Sequence, residues 1–127
     1  MTSSANRACA PKSIAILNSQ SPFKELAKEA LDVALMFGSF EQAVSLFFSG
    51  EGVRQLVAGQ QLDSLGMKNF LATFAALKFY DIENIYVCQH SLTVRSLSNN
   101  FHIDFVQLLN QAEFSAKLHA HQIIYRF

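Results

Sequence analysis

The chain has no tryptophan, only two cysteines and two prolines, and only 16% charged residues among its 127. Each scarcity excludes something. Ten Lys and Arg balance ten Asp and Glu, giving a formal net charge of zero. No stretch gathers the basic residues into a stripe. Direct nucleic-acid binding draws most of its affinity from phosphate neutralisation, so that function is disfavoured. No apolar run approaches the length needed to span a bilayer. The first eleven residues, Met1 to Pro11, are small and polar with no apolar core, unlike a secretory signal. Cys9 lies in that segment and Cys88 in a very different setting, so the pair does not form a disulfide framework. A reducing, cytoplasmic location is the expectation. No repeat and no low-complexity segment is present.

What is abundant is apolar. Half of the residues are hydrophobic and twelve are phenylalanine. One domain is expected, from Lys12 to Phe127, behind a disordered polar tail at 1–11. A domain of this size has limited interior. Some of the apolar surface should therefore end at a subunit interface.

Strands and helices alternate along the chain. Ser13 to Leu17 reads as a first strand. Ser21 and Pro22 then open a helix over Phe23–Phe37, with Gly38 as its stop. Glu25, Lys28, Glu29 and Asp32 form a narrow polar stripe on that helix, which Met36 continues with an apolar residue, a hint of an interface. Ala43–Phe48 is a continuous apolar run, as in a parallel strand covered on both faces. A short helical stretch over Val53–Val57, a loop at Gly59–Asp63 and a helix over Leu65–Lys78 follow. Asn84–Cys88 reads as a third strand and Gln89–Leu97 as a brief helix. His102–Val106 reads as a fourth strand, Gln111–Leu118 as a helix and Gln122–Arg126 as a fifth strand. The pattern predicts an α/β sandwich around a mainly parallel sheet.

Cys88 is the main chemical candidate. It ends a strand where a helix begins, and ligands in open α/β sheets bind outside the carboxyl ends of strands. A thiol there either forms a persulfide or other adduct, or fills a strand end as a small apolar residue. His90, two residues on, either assists that thiol or lies on a surface turn. Arg95 either holds an anion near Cys88 or is a solvated arginine in a last helical turn. Gly50-Glu51-Gly52 resembles part of a nucleotide fingerprint, but Gln55 replaces its third glycine, and a tight turn explains both glycines. His119 and His121 supply two metal-type donors with no carboxylate or cysteine cluster to complete a site. The residues point to no cofactor and no metal.

A wider set of residues carries a family resemblance. It comprises Leu46-Phe47-Phe48, Gly52-Val53, Leu56, Gly59-Gln60, Ala72-Thr73-Phe74 and Tyr80-Asp81-Ile82-Glu83. Val87-Cys88, Ser91-Leu92, Arg95 and the closing Ile123 to Phe127 complete it. In order and spacing these resemble the DsrE/DsrF-like family of small sulfur-relay proteins, in its DsrF-type branch, from about Lys12 to the end. The resemblance implies a flavodoxin-like α/β/α sandwich with a five-stranded sheet. It implies a dimer of heterotrimers with DsrE-like (TusD) and DsrH-like (TusB) subunits. That assembly passes persulfide sulfur to a DsrC-like acceptor (TusE), towards 2-thiolation of tRNA wobble uridine. In the family the persulfide-bearing cysteine belongs to the DsrE-like subunit, at the strand end equivalent to Cys88. An auxiliary, non-catalytic role for this chain is therefore the expectation. The alternatives are that Cys88 itself carries sulfur, or that the chain serves a DsrEFH complex of dissimilatory sulfur oxidation. Two departures stand out. Ser96 stands where family members commonly have the glycine of Arg-Gly-Leu, and Ala30 where glycine is common. Serine in a left-handed cap costs about 1 kcal/mol, while alanine favours the helix.

Overall fold

A computed structural model describes residues 13–20, 25–40, 42–57, 73–77, 79–80, 82, 84–101, 103 and 105–127. The tail at 1–11 with Cys9, the Ser21-Pro22 helix start, the loop at 59–63 and most of the helix expected over 65–78 lie outside these residues. Residues 73–77 and 79 are helical.

The strands are β1 (Ser13–Asn18), β2 (Ala43–Phe48), β3 (Asn84–Cys88), β4 (Val106–Leu109) and β5 (Ile123–Arg126). They form one sheet in the order β4-β3-β2-β1-β5, and every pairing is parallel. The helices are α1 (Glu25–Ser39), α2 (Gln89–Val94) and α3 (Gln111–His119), and a 3-10 turn occupies Gly50–Gln55. This is the α/β sandwich expected.

Alternation along the strands splits the core into two faces. Ile14, Ile16, Val44, Leu46, Phe48, Ile85 and Val87 face one layer. There they meet Ala27, Ala30, Leu31 and Ala34 of α1, with Phe74 and Leu77. Alanines on α1 let its backbone approach the sheet closely. Ala15, Phe47, Tyr86 and Cys88 face the other layer, against Phe114 and Leu118 of α3. Phe47 centres that layer, with ring contacts to Tyr86, Phe114 and His121 at 4.9, 5.4 and 5.3 Å. Among the described residues, one nine-residue helix lies over the second face, held at its start by a complete capping box between Asn110 and Glu113.

Three elements differ from the sequence reading. β4 is Val106–Leu109 rather than His102–Val106, because its register against β3 begins at the Ile85–Val106 pair. Just upstream, Phe101 instead makes an antiparallel bridge to Val57. α1 runs through Gly38 to Ser39. The glycine is there for closeness: a Cβ on it would stand 2.9 Å from Ile82 Cδ1. The turn after β2 begins at Gly50, earlier than the Val53 start expected, and is 3-10.

Candidate functional site

The chain reverses direction across the sheet after β4, and this locates the site. β3 leads into α2, whose Leu92 joins the first core layer, whereas β4 leads into α3 on the second. Connections leaving adjacent strands for opposite faces open a crevice at their carboxyl ends, where α/β proteins bind ligands. The two residues flanking that crevice are Cys88 and Leu109, paired in register.

Cys88 is the N-cap of α2 in extended backbone, and its side chain makes no capping hydrogen bond. It is a free thiol, 6% exposed, within the apolar cluster of Phe47, Tyr86, Phe114 and Leu118. α2 has only six residues, so the field at its start is that of a short helix. His90 shares the first turn but is exposed, while Cys88 is buried.

Arg95 is tied elsewhere. Its Nε donates to Glu51 Oε2 at 2.6 Å and its Nη1 donates to the Ser91 carbonyl at 3.1 Å. Arg54 Nε donates to the other oxygen, Glu51 Oε1, at 2.8 Å. Arg95 first, and then Arg54, holds the Glu51 carboxyl below its ordinary value. The Gly50 N–H donates to Ser91 Oγ at 3.0 Å, binding the 3-10 turn to α2 a second time. The guanidinium seven residues beyond Cys88 is thus part of a clamp between two turns.

The glycines belong to this same corner. Gly50 has φ +56, a left-handed conformation that glycine adopts freely. A Cβ on Gly52 would collide with the Asn18 carbonyl oxygen. Gly52 therefore lets the turn lie against the end of β1. Asn18 and Gln55, both fully buried, cross-link the same corner. Gln55 Nε2 donates to Asn18 Oδ1 at 2.9 Å and to the Gln20 carbonyl at 2.8 Å, and Asn18 Nδ2 donates to the Ala27 carbonyl at 3.2 Å. Gln55, which broke the nucleotide fingerprint in the sequence, is a structural polar residue. Its partner Asn18 had no signal beyond being the polar residue that closes a strand.

His119 and His121 do not converge on one ligand. Each Nδ1 lies 2.8 Å from the carbonyl four residues back, of Ser115 and Lys117. Among the described residues no three His, Cys, Asp or Glu side chains group as a metal site. No helix among them is long and apolar enough to cross a membrane. A cavity of about 670 Å³ lies at the opposite end of the sheet from Cys88, among the first residues of β1, β2 and β3.

This architecture and sequence have relatives. The model of the DsrE/DsrF-like family matches residues 12–124. Protein TusC of Buchnera aphidicola subsp. Schizaphis graminum (strain Sg) is 38% identical over 116 residues, 90% of this chain and 98% of that protein. A Protein TusC homolog of Vibrio vulnificus (strain CMCP6) is 37% identical over 92 residues, 72% of this chain and 78% of that protein. Among solved structures, the YchN protein from E. coli superposes with a TM-score of 0.72, covering 93% of this chain and 100% of that one at 17% identity. The last likeness concerns the fold; the first three concern ancestry, and by them the chain belongs to the DsrE/DsrF-like family.

Proposed function

We propose that the chain is the DsrF-type subunit of a TusBCD-like sulfur-relay complex that moves persulfide sulfur towards 2-thiolation of tRNA wobble uridine. The observation that carries this reading is the likeness to proteins named TusC over most of the chain. Its partners are the DsrE-like (TusD) and DsrH-like (TusB) subunits, and the assembly hands sulfur to a DsrC-like acceptor (TusE). Within it the chain is auxiliary. Support for that role comes from the corner around Cys88: the thiol is buried among aromatic side chains, and the nearby arginine is paired to Glu51. A sulfur carrier must present its sulfur to a donor and then to an acceptor, and a thiol under an aromatic layer presents it to neither. The absence of any basic run in the sequence fits a chain that leaves tRNA contact to a later enzyme.

The test is intact-mass analysis of the co-expressed complex after exposure to a persulfide donor, with wild type beside Cys88→Ser. The expected outcome is an unmodified chain beside a sulfur-loaded DsrE-like partner. An added sulfur atom on this chain that disappears in Cys88→Ser would make Cys88 a carrier. Failure of the chain to co-purify with DsrE-like and DsrH-like partners would overturn the relay reading itself.

A further inference from the structure

The cavity at the amino end of the sheet is a hollow that the relay reading does not use. Side-chain size along the second sheet face creates it. Phe47 pairs with Tyr86 and fills the middle of that face with rings. One step back on the same face Ser45 pairs with Asn84, and beyond it Ser13 pairs with Ala43. Short side chains thus replace rings, and a space of about 670 Å³ is left over them. Sites for small molecules span about 300–1,000 Å³.

Two of the lining side chains are buried and have no partner. Ser45 is 6% exposed and Tyr86 8%. Neither Ser45 Oγ nor Tyr86 Oη makes a hydrogen bond to any residue. Among the described residues every fully enclosed side-chain nitrogen and oxygen is hydrogen-bonded. These two oxygens are therefore not enclosed; they open onto the cavity that both residues line. A hydroxyl placed in a central strand with no partner from the fold calls for one from outside it. His121 supplies a third group. Its Nδ1 lies 2.8 Å from the Lys117 carbonyl, which can only accept, so Nδ1 bears the proton. Nε2 of the neutral ring is left as an acceptor at the cavity wall.

The wall narrows the class of ligand. None of the described lining residues is Asp, Glu, Lys or Arg, so no fixed charge awaits a counter-charge. The ring of Tyr86 is occupied, by Phe47 at 4.9 Å and by the Lys117 ammonium above it at 5.3 Å. It therefore offers its hydroxyl rather than a stacking face, which disfavours a planar heterocycle. Hydroxyls and the Asn84 amide each donate and accept. Their complement is a molecule with several groups that do the same.

We propose that this cavity is a binding site for a small uncharged polyhydroxy molecule, a sugar or polyol, held by the hydroxyls of Ser45 and Tyr86 with Asn84 and His121 beside them. The site goes beyond the relay reading and does not rest on it.

The experiment titrates D-glucose, D-ribose and myo-inositol into the isotope-labelled full chain and follows its amide resonances, with uracil and inorganic phosphate as contrasting probes. The expected result is a saturable shift at residues 45, 84, 86 and 121 with at least one polyol, while the resonances of Glu51 and Arg95 stay in place. Tyr86→Phe keeps the ring and removes only the hydroxyl, and Ser45→Ala does the same for the smaller side chain. Each should weaken the binding about 3- to 10-fold, the value of one hydrogen bond, with an unchanged circular dichroism spectrum. Saturable shifts with uracil or phosphate in place of the polyols would overturn the proposal. So would the absence of saturable shifts with all three polyols, or polyol binding indifferent to both substitutions. Sulfur loading does not enter this measurement, so the two ideas fail separately.

Discussion

The two ends of the sheet are built on opposite terms. At the carboxyl end, polar groups are numerous and committed: Asn18 to Gln55, Ser91 to Gly50, and Glu51 to both Arg54 and Arg95. Among the described residues no buried side-chain nitrogen or oxygen there lacks a hydrogen bond. At the amino end, the hydroxyls of Ser45 and Tyr86 open unpaired onto a hollow. In α/β folds the carboxyl end is where chemistry is expected. Here it is cross-braced and its cysteine is covered, while the open cavity lies at the other end. The contrast fits an auxiliary chain, whose carboxyl end is structural rather than reactive.

The sharpest way to test the bracing is Gly52→Ala. The new methyl group meets the Asn18 carbonyl, a backbone atom that cannot swing aside. Overpacking of this kind typically costs 1–3 kcal/mol, and a backbone obstacle puts the expected loss near the top, about 3 kcal/mol in urea unfolding. Phe40→Ser at the other end should stay within about 0.5 kcal/mol, as surface substitutions do. Equal losses at both positions would erase the contrast.

Asn18→Ala removes less but tests the same corner. It removes the Asn18 side chain's bonds to the Gln55 amide and to the Ala27 carbonyl in a site with no exposure. Each hydrogen bond lost costs about 0.5–1.5 kcal/mol, so a loss near 2 kcal/mol is expected. Asn18→Leu should not recover it, because the Gln55 amide still loses its bonds to the Asn18 side chain. A neutral result for Asn18→Ala would mean that water satisfies the corner as well as the side chain does.

The Glu51 clamp predicts a pH effect of known sign. Its carboxyl titrates below the ordinary value of 4.5 because of Arg95 first and Arg54 second. A depressed folded value stabilises above the unfolded pKa, and that stabilisation is lost as pH falls through the folded one. Glu51→Gln should therefore narrow the stability difference between pH 7 and pH 3. The carboxylate side chain is 46% exposed, so screening keeps the effect to about 1 kcal/mol or less. It should shrink further in high salt, whereas the Asn18 effect should not.

Much of this was legible along the chain, and the misses have physical causes. Cys88 at the end of a strand with a helix starting on it follows from local pattern alone, as do β1, β2, β3 and β5. β4 was misplaced because it is a four-residue edge strand, half-buried, whose limits depend on its pairing with β3. Gly38 read as a stop because glycine ends helices, and only the presence of Ile82 beside it reveals a packing reason. The pairing of Arg95 with Glu51 joins residues 44 apart, and that of Asn18 with Gln55 residues 37 apart. Neither spacing leaves a local trace, so Arg95 read as a solvated arginine in a last helical turn or, less readily, as an anion holder.

The smallest predicted effect is also the one most legible beforehand. Ser96 stands where the resemblance implies a glycine, and its φ is +53, left-handed. The hydrogen bonds explain why. Leu97 N–H donates to the Leu92 carbonyl at 3.0 Å and Ser96 N–H to the Thr93 carbonyl at 3.1 Å, the paired closure that ends a helix with one left-handed residue. Serine bears the cost of its Cβ in that conformation. Ser96→Gly removes the cost but loosens the unfolded chain, which returns part of the gain. The net expectation is a stabilisation of about 0.5 kcal/mol, read as a higher urea midpoint with unchanged slope. Because Arg95 immediately precedes this residue, the same substitution tests whether the cap holds the guanidinium against Glu51. If the cap only ends the helix, the pH response of Ser96→Gly will match wild type while the midpoint rises. A weakened acid response alongside the higher midpoint would show instead that the strained serine positions the clamp.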